Sequence, residues 1–246
     1  MTAPGYLRFE LVRTFRNRRF FILSLVFPIV MYVLIAGPNR HEQDVGHTGI
    51  SAPLYFMIGL AAFGTMNAVL SSGARIAGER ATGWNRQLRL TPLRGRDYFR
   101  AKVLTSYTMA LCAIFTLYAG GVALGVRMPP DRWLSMTLLL LVGLVPFAAL
   151  GVLYGHVLTV DSIGPAIGGT TALLAFLGGA WFPITGGGFF QDAAKELPSY
   201  WLVQASREGL GVSHPWGAHG WAVIAVWAAV LTVLAARAYK RDTKRI

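Results

Sequence analysis

Eleven carboxylates, five histidines and one cysteine are the groups in this 246-residue chain that could serve as acids, bases, nucleophiles or metal ligands. Their spacing supports none of these roles. His41-Glu42 opens like the zinc signature H-E-x-x-H, but the second ligand position is Val45. No G-x-S-x-G exposes a nucleophile, and no G-x-x-x-x-G-K-[ST] loop could cradle a nucleotide phosphate. Cys112 has no partner cysteine and falls within an apolar stretch, where packing is its expected role. His156 and His219 fall near the ends of apolar stretches, the usual place of polar anchors. If ATP is used, another chain must bind it; the expectation is no cofactor or metal on this chain.

The elements that would position chemistry are six apolar stretches, placed at 20–37, 53–74, 103–126, 133–158, 162–183 and 218–236. Of the chain, 54% is apolar and 14% charged, and the mean hydropathy is +0.48. Each stretch is long enough to cross a hydrocarbon core of about 30 Å. None contains Lys, Arg, Asp or Glu, and in lipid only helices or closed barrels satisfy their own backbone. The stretches lack the alternation of barrel strands. The predicted fold is therefore an all-α integral membrane protein, residues 1–246 forming a single transmembrane domain.

The net charge of +12 is sorted by loop. Eighteen of the 23 Lys and Arg fall before the first stretch, in loop 75–102, or in the C-terminal tail. The positive-inside bias makes that side cytosolic, with both termini inside. The same sorting argues against nucleic-acid binding. An ion-coupled carrier would need ionisable groups within the bilayer, and the only titratable candidates in these stretches are His156 and His219, close to their ends.

Residues 4–18 read as an amphipathic interfacial helix. Leu7, Leu11, Val12 and Phe15 share one arc, and Glu10, Arg13, Thr14 and Asn17 the opposite one. Segment 184–217 is too long and too apolar for a plain connector. It reads as an outer re-entrant segment broken at Pro183, Gly186–Gly188 and Pro198, with Phe189, Phe190, Pro198 and Trp201 closing an outer gate against the ends of spans five and six. The pairs Gly121/Gly125, Gly151/Gly155 and Gly164/Gly168 permit close helix approach. In loop 75–102, residues 79–90 suit one short helix stopped by Pro92, with Trp84 and Leu88 on one face.

That loop shows, in order, Glu79-Arg80, Gly83-Trp84, Leu88 and Thr91-Pro92-Leu93, then Ala101-Lys102 entering span three. Farther on, Leu197-Pro198-Ser199-Tyr200-Trp201 leads to Arg207. With the arginine-rich start and six spans, this order resembles the type-two ABC exporter permeases over essentially the whole chain. The run Gly186-Gly187-Gly188 departs from it, being richer in glycine than the usual outer hairpin.

The resemblance implies a non-enzymatic permease subunit of a bacterial plasma membrane. ATP and Mg would be held by a separate cytosolic ABC ATPase, in two copies, and a second permease chain, identical or related, would complete the pathway. Loop helix 79–90 would be the coupling helix, carried by Glu79, Arg80, Gly83, Trp84, Gln87, Leu88, Thr91 and Pro92, with Glu79, Trp84 and Leu88 as the docking face. Thr65, Asn67, Ser71, Thr170 and Thr171 would supply polar groups to a path for a hydrophobic or amphipathic cargo: a drug, an antibiotic or a lipid-like molecule. The same hydroxyls could equally bond helix to helix. The alternatives are an ion-coupled or facilitative carrier and a membrane-embedded enzyme or scaffold; co-purification of a soluble ATPase separates them from the first reading.

Overall fold

The computed structural model describes residues 3–91, 93–184, 188–205, 207 and 215–244. Pro92, Gly186 and Gly187 lie outside the described residues. Among those described there is no strand, and the α-helices run in the order α1 (Ala3–Arg16), α2 (Arg18–Ala36), α3 (Ala52–Ala81), α4 (Trp84–Arg89), α5 (Gly95–Ala123), α6 (Pro130–Gly143), α7 (Val145–Val157), α8 (Val160–Leu177), α9 (Phe189–Lys195), α10 (Pro198–Gln204) and α11 (Gly217–Lys244).

Five helical stretches among the described residues are long and apolar enough to cross a membrane: α3, α5, α6 with α7, α8, and Gly217–Asp242 of α11. Leu25–Ala36 of α2 is a shorter apolar helix. The fourth stretch is not one straight rod. Pro146, in the first turn of α7, cannot donate to the preceding turn, and the helix breaks at Leu144. Tyr107 of α5 donates its hydroxyl to the Leu141 carbonyl beside the break, at 3.1 Å.

Two boundaries differ from expectation in a way that matters. The second span, expected to end at 74, runs to Ala81, and the third begins at Gly95 rather than 103. The loop between them is therefore mostly helix. Residues 79–90 are also not one helix. Thr82 bonds back to Gly78 through its hydroxyl, and Gly83 takes a left-handed conformation (φ 72°) that ends α3 and reorients the chain into the six-residue α4. Glu79 and Arg80 thus belong to the last turn of α3.

Helix α3 is central, touching α2, α5, α7, α8 and α10, and its apolar residues dominate the core. It approaches α7 closely where Gly73 lies against Gly151 and Gly155. A Cβ on Gly155 would stand 2.7 Å from Cβ of Ile76 and 2.9 Å from the Gly73 carbonyl oxygen. Gly155→Val is therefore expected to destabilise the protein by about 1–3 kcal/mol through overpacking. Gly78→Ala, where nothing lies within 4 Å, should leave the melting temperature unchanged or slightly raised. Thermal unfolding of the two purified variants in one detergent checks both.

Candidate coupling site at the basic end

Helix α1 packs with its polar arc inward. Tyr6, Glu10 and Thr14, one helical turn apart in succession, are buried, while Phe9, Val12 and Phe15 of the other side are exposed. This inverts the rule for helices on water-soluble proteins, because at a membrane surface the apolar arc has lipid to enter. The polar arc meets charges from α3 and α5. Lys102, fully buried, places Nζ 2.9 Å from Oε2 of Glu10 and 2.5 Å from Oε1 of Glu79.

Glu79 also accepts from Arg13 at 2.9 Å and from the Tyr98 hydroxyl at 2.7 Å. Tyr6 donates to Oε1 of Glu10 at 3.1 Å, and burial, with Glu79 and Glu10 close by, raises its pKa well above the ordinary tyrosine value, so it stays a donor. Arg75 reaches Thr14 Oγ1 at 3.3 Å. Two buried carboxylates thus share Lys102, with the half-exposed Arg13 at the edge of the site and Arg75 beside Thr14. Such a set is held only while every partner is present, because stripping water from a charge costs more than an incomplete set of partners returns.

Helix α4 rests on this platform. Leu88 is buried with Tyr6, Tyr98 and Ala101, and Trp84 packs beside them with its ring 6.4 Å from that of Phe9. The expected docking face of Glu79, Trp84 and Leu88 is therefore not presented: Glu79 is only 2% exposed, and Leu88 is turned into the protein. The break at Gly83 is the reason, since it separates Glu79 from α4. Among the described side chains here, those turned outward are Gln87 and, just past the end of α4, Leu90, 89% exposed. Leu90 was missed in the sequence, although it sits two residues from Leu88 and so on the other side of a helical turn. Thr91 closes the turn by donating to the Leu88 carbonyl at 2.7 Å.

A second network joins α3, α7 and α11. Arg80 grips Asp242 with two parallel contacts, Nε to Oδ2 at 2.8 Å and Nη2 to Oδ1 at 3.0 Å. Its Nη1 donates to the carbonyls of Gly155 and Leu158 at 2.9 and 3.4 Å. Nδ1 of His156 lies 3.1 Å from the same Asp242 carboxylate, and its ring meets those of Phe99 and Tyr239. His156 thereby joins α7 to α11.

The sequence pattern of ABC-2 type transporters matches residues 6–210, from the start of the buried network to beyond α10. The chain belongs to the ABC-2 type transporter family. It is also 27% identical, over 197 residues covering 78% of each chain, to the Bacillus subtilis (strain 168) protein named "Putative transport permease YvfS". An ABC-2 chain is the membrane subunit of a transporter, here multi-pass, and its family implies an ABC ATPase as working partner.

Within this ABC-2 subunit the expected polar path is largely occupied by the helices themselves. Thr65 and Thr171 are buried and bond to the carbonyls of Ala61 and Ile167 one turn back, at 2.6 and 2.8 Å. Ser71 does the same to Asn67 at 2.7 Å. Thr170 alone of the five makes a described contact between helices, 2.8 Å from the Tyr154 hydroxyl. Asn67 and Ser71 remain partly exposed on α3.

The segment expected to form the outer gate divides. Pro198 and Trp201 are buried, Trp201 in a cluster with Tyr200, Trp216, Val223 and Ile224 and donating its indole N–H to the Lys195 carbonyl at 2.8 Å. Phe189 and Phe190 do not pack on the spans as expected; Phe189 is 89% exposed. The reason is local: Gly188, with φ 88°, starts the short α9 so that Phe189 falls on its free side, while Phe190, one turn before the buried Ala194, sits in the first turn and stays half-exposed.

Proposed function

We propose that the chain is the permease half of an ATP-driven exporter, in which α4 is the coupling helix and Leu90 with Gln87 forms its contact with the ATPase. The observation that supports this most is the mounting of α4: a short helix with an exposed leucine beside it, seated on a buried charge network that ties α1, α3 and α5 together. A push on Leu90 reaches Leu88 and Trp84 directly. From there it passes to helices that cannot slide apart without breaking buried ion pairs, so the bundle responds as a unit.

The arginine-rich end is read as cytosolic by the positive-inside bias, giving six spans with both termini inside and α9 and α10 as the outer re-entrant segment. A second permease chain completes the path. Helix α8 supports this, since Gly164, Gly168 and Gly169 have nothing within 4 Å and leave room for another helix. The partner ATPase holds ATP and Mg, the cargo is hydrophobic or amphipathic, and the membrane is a bacterial plasma membrane.

The test is purification from membranes through a tag on this chain. A stoichiometric soluble protein with a Walker motif, and ATPase activity that disappears when that protein is washed away, is the expected result. ATP hydrolysis by the isolated chain would overturn the division of labour. Cysteines at Arg94 and Asp44 report topology: only the one at Asp44 should react with an impermeant thiol reagent in intact cells.

A further inference from the structure

Beside the Arg80–Asp242 grip is a cavity of about 410 Å³, walled by Arg80, Leu153, His156, Val157, Leu234, Arg237, Ala238, Arg241 and Asp242. Its charges are unequal. Arg80 and Asp242 neutralise each other, whereas Arg237 and Arg241, one turn apart on α11, are exposed and have no ion-pair partner among the described residues. Its apolar residues are also ordered. Leu234 precedes Arg237 and Arg241 along α11, and Leu153 stands one turn before the end of α7, which also runs toward the basic end, so the wall grades from apolar, deeper in the bundle, to basic at its rim. Val157 and Leu234 are exposed beside it. His156 is only 2% exposed on its side chain, and its Nε2 is buried without a partner among the described residues.

We propose that this pocket holds the phosphate group of an anionic phospholipid of the adjoining leaflet. Arg237 and Arg241 take the phosphate oxygens, and the acyl chains run along Leu153, Val157 and Leu234. A guanidinium pair matches phosphate in geometry as well as in charge. Basic pockets between membrane helices are suited to such head groups. A free phosphate would use the rim and leave the apolar wall idle; an amphiphile uses both. The fixed floor matters too, because Arg80 is already committed to Asp242 and two carbonyls, and so the pocket keeps its shape whether filled or empty.

The experiment is thermal unfolding of the full-length chain in neutral detergent with added phosphatidylglycerol, phosphatidylcholine or inorganic phosphate, with native mass spectrometry counting bound lipid. Phosphatidylglycerol should raise the melting temperature and remain bound, while phosphatidylcholine and phosphate should do neither. Arg237→Gln/Arg241→Gln should need roughly tenfold or more phosphatidylglycerol for the same shift. Arg94→Gln/Arg100→Gln, which removes equal charge elsewhere on the basic end, should behave as wild type. Equal response to phosphatidylcholine, equal response to inorganic phosphate, or equal loss in both double variants would each overturn the assignment. Should the first double variant fail to fold, the wild-type lipid count decides: no retained phosphatidylglycerol rejects the site.

Discussion

Lys102→Met is expected to be the most damaging single substitution at the basic end, lowering stability by about 3–5 kcal/mol, because it leaves buried charges without their partner. Glu10 and Glu79 would then face each other with the Lys102 ammonium gone, and Arg13 reaches only one of them closely. Methionine fills nearly the same volume, so the loss reports charge rather than a cavity. Adding Glu10→Gln should restore part of it, since one of the two stranded carboxylates becomes neutral. Size-exclusion profiles and melting temperatures of the single and double variants check this. A wild-type melting temperature for Lys102→Met would show that the network contributes little.

Leu90→Asp is expected to weaken ATPase association roughly tenfold to a hundredfold, the range that follows from losing the burial of one leucine, about 1.5–3 kcal/mol. The melting temperature of the permease alone should not change, because the Leu90 side chain is already in solvent. Trp84→Ala acts differently: it removes the packing of α4 on Phe9 and Leu88's neighbours, and so should lower both ATPase recovery and permease stability. Pull-down of the ATPase at matched expression, with Arg94→Ala as a control outside α4, separates the two. Full recovery with Leu90→Asp would remove Leu90 from the interface.

The apolar stretches, the sorting of basic residues and the ordered motif from Glu79 to Lys102 were all legible in the sequence, because they depend on local composition and on order alone. The burial of the polar arc of α1 against α3 and α5 was not. A rule learned from water puts the apolar arc of a helix inside; here Glu10 is inside because Lys102, far along the chain, awaits it, and no local pattern carries that information. Glu79 failed as a surface residue for a related reason. Loop 75–102 read as holding a separate helix over 79–90, yet α3 and α5 extend into it and bring Glu79 and Lys102 face to face. Leu88 and Leu90 were separable only once Gly83 had fixed where α4 starts.

The long reach of the buried contacts also governs how the protein is made. Glu10 is synthesised 92 residues before Lys102, and Arg80 162 residues before Asp242. At about 5–20 residues per second, the first waits roughly 5–20 s for its counter-ion and the second roughly 8–30 s. Until then each charge needs water, so the basic end must stay hydrated through most of translation, with α1 lying loosely at the interface. Helix α11 is the last to arrive, and Asp242 stands in its final turns. A chain cut short of Asp242 leaves Arg80 without the carboxylate that neutralises it, so the joining of α3 to α11 waits on residues translated long after α3 itself.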